Sequence, residues 1–498
     1  MRDGRSVPPT PDPAMGSTTF KSTWTAGAML VIALGVAVSA PASAVTARHV
    51  TVAQAPAPAT APSPAANGRC INDEGSDPQS APKFRTAPAT ADSKTAPADS
   101  TAPRMNLLAM VRAAIRRSNA VGAAKLLAEA AAIDIDEAHA QLYPQVGISG
   151  QLGGIDAGAP NSAAVRGAQF QGGVNVSAPL YDGGHIRDLT EYRRQLAEVA
   201  KFGEIGAQEQ VALQTVSLAL DRSRYTVEAQ VYDQYARKMG CLVDALQQIV
   251  SADRGRTSEL VQAKKTQEQA ELSRDQTLSQ MRLTEIRLRR FVGDDLPPTE
   301  GITSVMLDTP ALDDLITVAS RASEIRALDS QADALDAYVR SVLDGQKPQL
   351  GVLLAATKSA GAGNSRSVSG GLTFNWQIFN ASNNYTTDAA RKRAAAARLS
   401  REDALEARKY RMAEVHEQAE HAMDRARSVI EILHKSELVR NFTLQQWQQL
   451  GRRSLFDVMS AEGDHYNMRV QYVDALYDTQ QSNALLWSLG LGLAVHLE

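Results

Sequence analysis

Polar and apolar residues alternate strictly over two stretches in each half of the chain. Phe170, Gly172, Val174, Val176, Ala178 and Leu180 share one parity; Gln169, Gln171, Gly173, Asn175 and Ser177 share the other. After Pro144, Val146, Ile148, Gly150 and Leu152 alternate with Gln145, Gly147, Ser149 and Gln151. The second half repeats this. Val368, Leu372, Phe374, Trp376 and Ile378 face Ser367, Ser369, Thr373, Asn375 and Gln377. Leu350, Val352 and Leu354 follow Pro348, with Leu353 breaking the pattern. A period of two predicts strands, here over 144–153, 168–180, 348–358 and 367–379.

Between the strands the period changes. A first helix is expected over Met105–Gln141. Residues 184–250 and 382–450 contain no proline, and at 1.5 Å per residue such helices reach roughly 100 Å. Apolar positions recur at three and four (Met239, Leu242, Leu246, Ile249; Val470, Val473, Tyr477, then Ala484 and Trp487), the spacing of coiled-coil seams.

The two halves also share one register. Gly172-Gly173-Val174 returns as Gly370-Gly371-Leu372, and Glu259-Leu260-Val261-Gln262-Ala263 returns as Asp457-Val458-Met459-Ser460-Ala461. Both landmarks keep an offset of 198, from 173 to 371 and from 259 to 457. The unit is therefore duplicated, which points to a symmetric, elongated object rather than one catalytic pocket. The prolines at 144 and 348 are 204 apart, so the first strand-tip loop, with Asp156-Ala157-Gly158-Ala159-Pro160-Asn161, is the longer one.

The chain begins with a targeting pattern. Lys21 precedes an apolar run from Trp24 to Val38, and Ala42-Ser43-Ala44 supplies small residues for cleavage, so 1–44 read as a signal peptide, with translation able to start at Met15. Residues 45–104 are rich in Ala, Pro, Thr and Ser and are expected to be disordered. The first repeat covers 105–293, a linker 294–310, the second repeat 311–492 and a tail 493–498. Cys70 and Cys241 allow a disulfide in an oxidising compartment, but one in a disordered segment and one in a helix favour unpaired thiols. A net charge of −3 gives no pull toward nucleic acid.

Strands of this length, with one apolar and one uncharged polar face, fit a membrane barrel. A soluble sandwich needs more strands. Four strands cannot close a barrel, and open edges in lipid leave backbone groups unsatisfied, so the chain must oligomerise, with two, three or four copies giving 8, 12 or 16 strands.

Two segments carry a resemblance. One is Pro179-Leu180-Tyr181-Asp182-Gly183-Gly184 at the strand-to-helix return, with Asn380 at the matching place in the second half. The other is Gly451-Arg452-Arg453-Ser454-Leu455-Phe456-Asp457-Val458-Met459-Ser460-Ala461, followed by Asn467, Val470 and Ser488-Leu489-Gly490. With the duplicated unit, these resemble the TolC-type outer-membrane efflux channel family over 105–492. The resemblance implies a homotrimer: a twelve-stranded barrel in outer-membrane lipid, continuous with a long α-helical periplasmic tunnel. It implies a periplasmic adaptor and an inner-membrane transporter as partners. The Gly-Arg-Arg-Ser-Leu-Phe-Asp-Val segment is most similar to the members serving type I secretion of RTX-type proteins. That implies an ABC transporter and an exported protein substrate, with small-molecule or metal efflux as the alternative. A coiled-coil surface protein without a pore is the reading from another class.

The resemblance also implies a periplasmic gate at the helix turns, carried onto Ser258, Glu259, Arg453, Asp457 and Ser460. Rings of carboxylates at a narrow mouth favour cations. Ser454 with Asp457 is equally the pattern of a helix N-cap followed by an acid. Ser460 and Glu259 stand where the family often carries aspartates, which weakens a double-acid ring. His416, Glu417 and His421 mimic a zinc-protease helix, but the second histidine is one residue too far along to share the face. No enzyme activity, cofactor or metal site is expected.

Overall fold

The computed structural model describes residues 101–158, 165–298, 301–450, 454–490 and 492–497. The expected signal peptide, Cys70 and Arg453 lie outside the described residues.

Helix α1 (Thr101–Arg117) and helix α2 (Asn119–Ala140) occupy the place of the single expected first helix. The break is at Ser118, which leaves helical geometry and whose Oγ accepts a hydrogen bond from the Val121 N–H. A serine so placed satisfies a donor that a continuing helix would not need. Helix α1 also begins within the segment expected to be disordered to 104.

Strands β1 (Gln145–Ala157) and β2 (Val165–Tyr181) form a hairpin that leads into α3 (His185–Ala252), and α4 (Thr257–Val292) returns alongside it. After α5 (Leu312–Val318) the same order recurs: α6 (Ser323–Asp344), β3 (Gln349–Gly361), β4 (Ser365–Asn375), α7 (Ala381–Leu450) and α8 (Leu455–Leu489), closed by α9 (Leu493–Leu497). Helices α2 and α4 both pack on α3, while α6 and α8 pack on α7. The 68-residue α3 and 70-residue α7 each extend about 100 Å. β4 ends at Asn375, short of the expected 379, and 376–380 carry no strand pairing.

The four strands make one antiparallel sheet in the order β1-β2-β3-β4, so β1 and β4 are open edges. The register aligns the parities read from the sequence. Val146 faces Val176, Val176 faces Leu354, and Leu354 faces Gly370 across the sheet. The apolar face is bare: Ile148 is 86% exposed and Leu372 71%. The other face is lined by Gln171, Asn175, Ser177, Thr357, Ser369 and Thr373, none of them charged.

The buried core lies instead among the helices. Leu107, Val111, Val216, Leu220, Leu288 and Tyr477 pack together with Ile302, Val305 and Met306. The segment expected as a linker is therefore part of the core. Its carbonyls are held by two buried amides: Gln480 donates to the Ile302 and Val305 oxygens, and Asn483 to that of Met306. No described helix is long and apolar enough to cross a membrane.

Candidate functional site

The strand-to-helix returns join the two parts. Pro179 has no N–H to donate to the ladder, and the β2–β3 register shifts between Pro179 and Tyr181. Asp182 then caps α3: its carboxylate accepts from the Gly184 and Ile186 N–H groups at 3.1 and 2.6 Å. Asn380 does the same for α7, its Oδ1 accepting from the Ser382 N–H at 3.0 Å. The two residues are equivalent by the sequence offset and perform one task. Gly183 sits at φ 72°, and a Cβ there would lie 2.9 Å from the Asp344 oxygen, so only glycine fits.

At the far end of the long helices, the ends of α3, α4 and α8 pack together. Met239, Leu242, Val243 and Leu246 of α3 and Ala263 of α4 meet Leu455, Val458 and Met459 of α8. This apolar cluster fixes where the candidate gate residues stand. Ser258 is exposed and Glu259 is half-buried in the first turn of α4. Asp457 and Ser460 are exposed on the first turns of α8. Ser454 and Asp457 form a capping box: the Ser454 Oγ accepts from the Phe456 N–H at 3.1 Å, and Asp457 Oδ2 accepts from the Ser454 N–H at 3.2 Å. Ser454→Ala is expected to cost about 1 kcal/mol, read as lost amide protection confined to the first turn of α8.

Sequence reasoning missed a charged network that ties α8 to α3 and α7. Arg224 of α3 donates to Glu228 Oε1 and to Asp474 Oδ1, both at 2.7 Å, and lies 3.4 Å from Asp478 Oδ1. Arg425 of α7 donates to Asp478 Oδ2 at 2.6 Å. Beside them, Gln481 donates to Asp221, and the Ser223 and Tyr477 hydroxyls are hydrogen-bonded at 2.7 Å. The Arg224–Glu228 spacing of four is visible in the sequence, but nothing there pairs it with α8. A second buried acid, Glu462, is fully enclosed, with Lys238 at 3.9 Å and Arg440 at 4.0 Å.

Desolvation, and then the hydrogen bond to Asp474, pushes the Glu228 carboxyl up from its ordinary value near 4.5 to about 7. Burial opposes the Arg224 charge, but its hydrogen bond to Glu228 and the nearby charges of Asp474, Glu228 and Asp478 carry its pKa upward. Because folding raises the Glu228 pKa, the folded state holds the extra proton. Its contribution to stability is complete below about pH 4.5 and is lost as pH rises through about 7. Glu228→Gln fixes the protonated form. It is expected to remove a pH 5 to 8 loss on the order of 1–3 kcal/mol, seen as a flatter profile of unfolding midpoint against pH than the wild type gives.

Among the described residues, no group of three His, Cys, Asp or Glu is placed to hold a metal ion. His416 lies 3.8 Å from Glu420. Cys241, on α3, is disulfide-bonded, against the expectation of unpaired thiols; an oxidising compartment lets such a bond form and persist.

No protein-family model matches the chain, and no curated protein matches it in sequence. Solved structures do match. CusC, whose structures concern folding and transmembrane channel formation, superposes with a TM-score of 0.69 at 17% identity, over 78% of this chain and 92% of its own. The outer-membrane channel OprN gives 0.67 at 17% identity, over 83% and 99%. The outer-membrane protein VceC from Vibrio cholerae gives 0.65 at 15%, over 78% and 97%.

The fold is that of outer-membrane channels. The capped returns at Asp182 and Asn380 join the four-stranded sheet to the long helices α3 and α7.

Proposed function

We propose that this chain is the subunit of a homotrimeric outer-membrane channel-tunnel, a passive duct with no catalytic step. The observation that carries this reading is the sheet. It has an apolar face open to its surroundings, an uncharged polar face behind it and two unpaired edges, and each of its hairpins leads into a helix of about 70 residues. Edges in lipid must be paired. Pairing β4 of one copy with β1 of the next in a trimer makes twelve strands and places Gln, Asn, Ser and Thr around the lumen. The two runs of equivalent elements are read as copies of one unit, which gives the trimer an approximate sixfold wall. The barrel lies in the outer membrane and the helices in the periplasm, where an adaptor and an inner-membrane transporter dock.

The finer reading is type I protein secretion, with an ABC transporter and an RTX-like exported protein. It is supported by the resemblance of the Gly451–Ala461 segment. Under the same reading Ser258, Glu259, Arg453, Asp457 and Ser460 form the periplasmic constriction.

The full-length protein in planar bilayers tests the channel. Discrete conductance from a particle of trimeric mass is expected; a monomer in mild detergent, or silent bilayers, would sink it. Asp457→Asn separates charge from capping, since the asparagine Oδ1 can still accept from the Ser454 N–H: reduced cation preference is expected, whereas Ser454→Ala leaves ion preference unchanged. For the cargo, cells lacking the chain should fail to release an RTX-type protein into the medium. Continued release together with new sensitivity to drugs or metals would assign the duct to efflux instead.

A further inference from the structure

We propose that the outer face of the sheet binds the phosphate groups of an outer-leaflet lipid through Lys358 and Arg366. This rests on the channel reading, which turns the apolar face toward lipid and the strand-tip loops away from the periplasm.

The described strands carry four charged side chains: Asp156, Arg166, Lys358 and Arg366. All four share the parity of the apolar face, and none lies on the lumen side. That is the reverse of what lipid exposure alone selects, because cations on a lipid-facing strand are tolerated only near an interface. Their position along the strands fits an interface. On β4 the outer face reads Phe374, Leu372, Gly370, Val368 and then Arg366. These eight residue steps span about 27 Å along the strand, and a tilted strand of that length crosses most of an apolar band about 25 Å tall. On β3 and β4 the cations stand at the loop end of the apolar run; on β1 and β2 it continues one row further, to Leu152 and Phe170.

Asp156 and Arg166 neutralise each other at 2.8 Å. Lys358 and Arg366 do not have this arrangement. They are direct cross-strand partners, both exposed. Like charges facing each other across a ladder are destabilising. Their row across the sheet is Gly150, Gly172, Lys358 and Arg366, with no carboxylate in it. The adjoining row toward the helices is Ile148, Val174, Ala356 and Val368, also without one. The two glycines leave the row shallow beside the cations, and the Phe170 ring lies over them, 3.5 Å from where a Cβ on Gly172 would stand. The arrangement is therefore a low apolar floor ending in an uncompensated dication. A phosphate oxygen between the two side chains would convert the repulsion into paired charge-assisted hydrogen bonds. A phosphorylated lipid headgroup supplies that anion at this depth while its chains cover the apolar band.

The test uses the full-length assembled protein in phosphatidylcholine vesicles containing bis-phosphorylated lipid A, or the same lipid stripped of phosphate. Lipid retained after mild extraction is counted by native mass spectrometry. The wild type is expected to retain the phosphorylated form preferentially, and increasingly so at low salt. Lys358→Gln and Arg366→Gln are each expected to lower retention about fivefold. Conductance in pure phosphatidylcholine should be unchanged. Equal retention of both lipids, retention indifferent to salt, or variants that keep the preference would overturn the inference while leaving the channel intact. Full competition by inorganic phosphate at matched concentration would overturn it too, by making this a site for free anion. Absence of conductance from the wild type would remove the channel reading and the inference together.

Discussion

Replacing Arg224 with methionine is expected to destabilise the folded chain by about 3 kcal/mol. Methionine keeps much of the side-chain volume but strands two carboxylates and weakens the pairing of a third. Glu228 and Asp474 lose their hydrogen-bond donor at 2.7 Å, and Asp478 keeps only Arg425. Arg224 bridges α3 to α8, so the loss is concentrated at that contact. Breaking one partner of a half-buried ion network leaves uncompensated charge, most costly at the buried Glu228. Two features make the result diagnostic. Lowering the pH toward 5 should recover part of the loss, because Glu228 then carries its proton. Arg224→Lys should fall between wild type and methionine, since a point charge cannot replace a planar fork. Calorimetric midpoints across pH read both. A variant as stable as the wild type at pH 8 would show that the network does not hold α8. By contrast, removing the exposed Lys201–Glu198 pair should change nothing measurable.

The second large effect concerns the two faces of the sheet. Leu372→Arg places a cation in the middle of the apolar face and is expected to cost about 2–4 kcal/mol of barrel stability in a bilayer. Ser369→Arg, three residues away on β4, points to the other side and should assemble normally. Its expected effect is on conduction, moving selectivity toward anions. Heat-modified mobility reports assembly and single-channel recording reports selectivity. If Ser369→Arg blocks assembly while Leu372→Arg does not, the apolar face lines the lumen and the barrel reading fails.

Much of this was legible in the chain. Alternation over Gln169–Leu180 and Ser367–Asn375 identifies strands because side-chain direction in a strand has a period of two; it runs on over 376–378, where no strand forms. The long proline-free stretches give the helices α3 and α7 for an equally local reason. Asp182, Gly183 and Asn380 were expected at the strand-to-helix returns; that the Asp182 and Asn380 side chains cap α3 and α7 came from the structure. The capping box at Ser454 and Asp457 was itself legible, because capping involves neighbouring residues only.

Other features were not legible. The break at Ser118 lies inside a stretch whose periodicity continues across it; only the capping hydrogen bond to Val121 reveals it. The 294–310 segment reads as a connector in sequence, yet Ile302, Val305 and Met306 are core, held by amides some 175 residues further along. The Arg224 network joins residues about 250 positions apart. Composition gives no sign of such a pairing.

The sequence by itself determined the parity of each strand, the reach of the long helices and the cap at Ser454 and Asp457. These depend on backbone geometry and on interactions a few residues long. Only the tertiary structure decided which cation meets which carboxylate, that burial raises the Glu228 pKa, and that Lys358 and Arg366 share one row of the sheet. Those outcomes depend on register between distant segments, and on desolvation that exists only once the helices have packed.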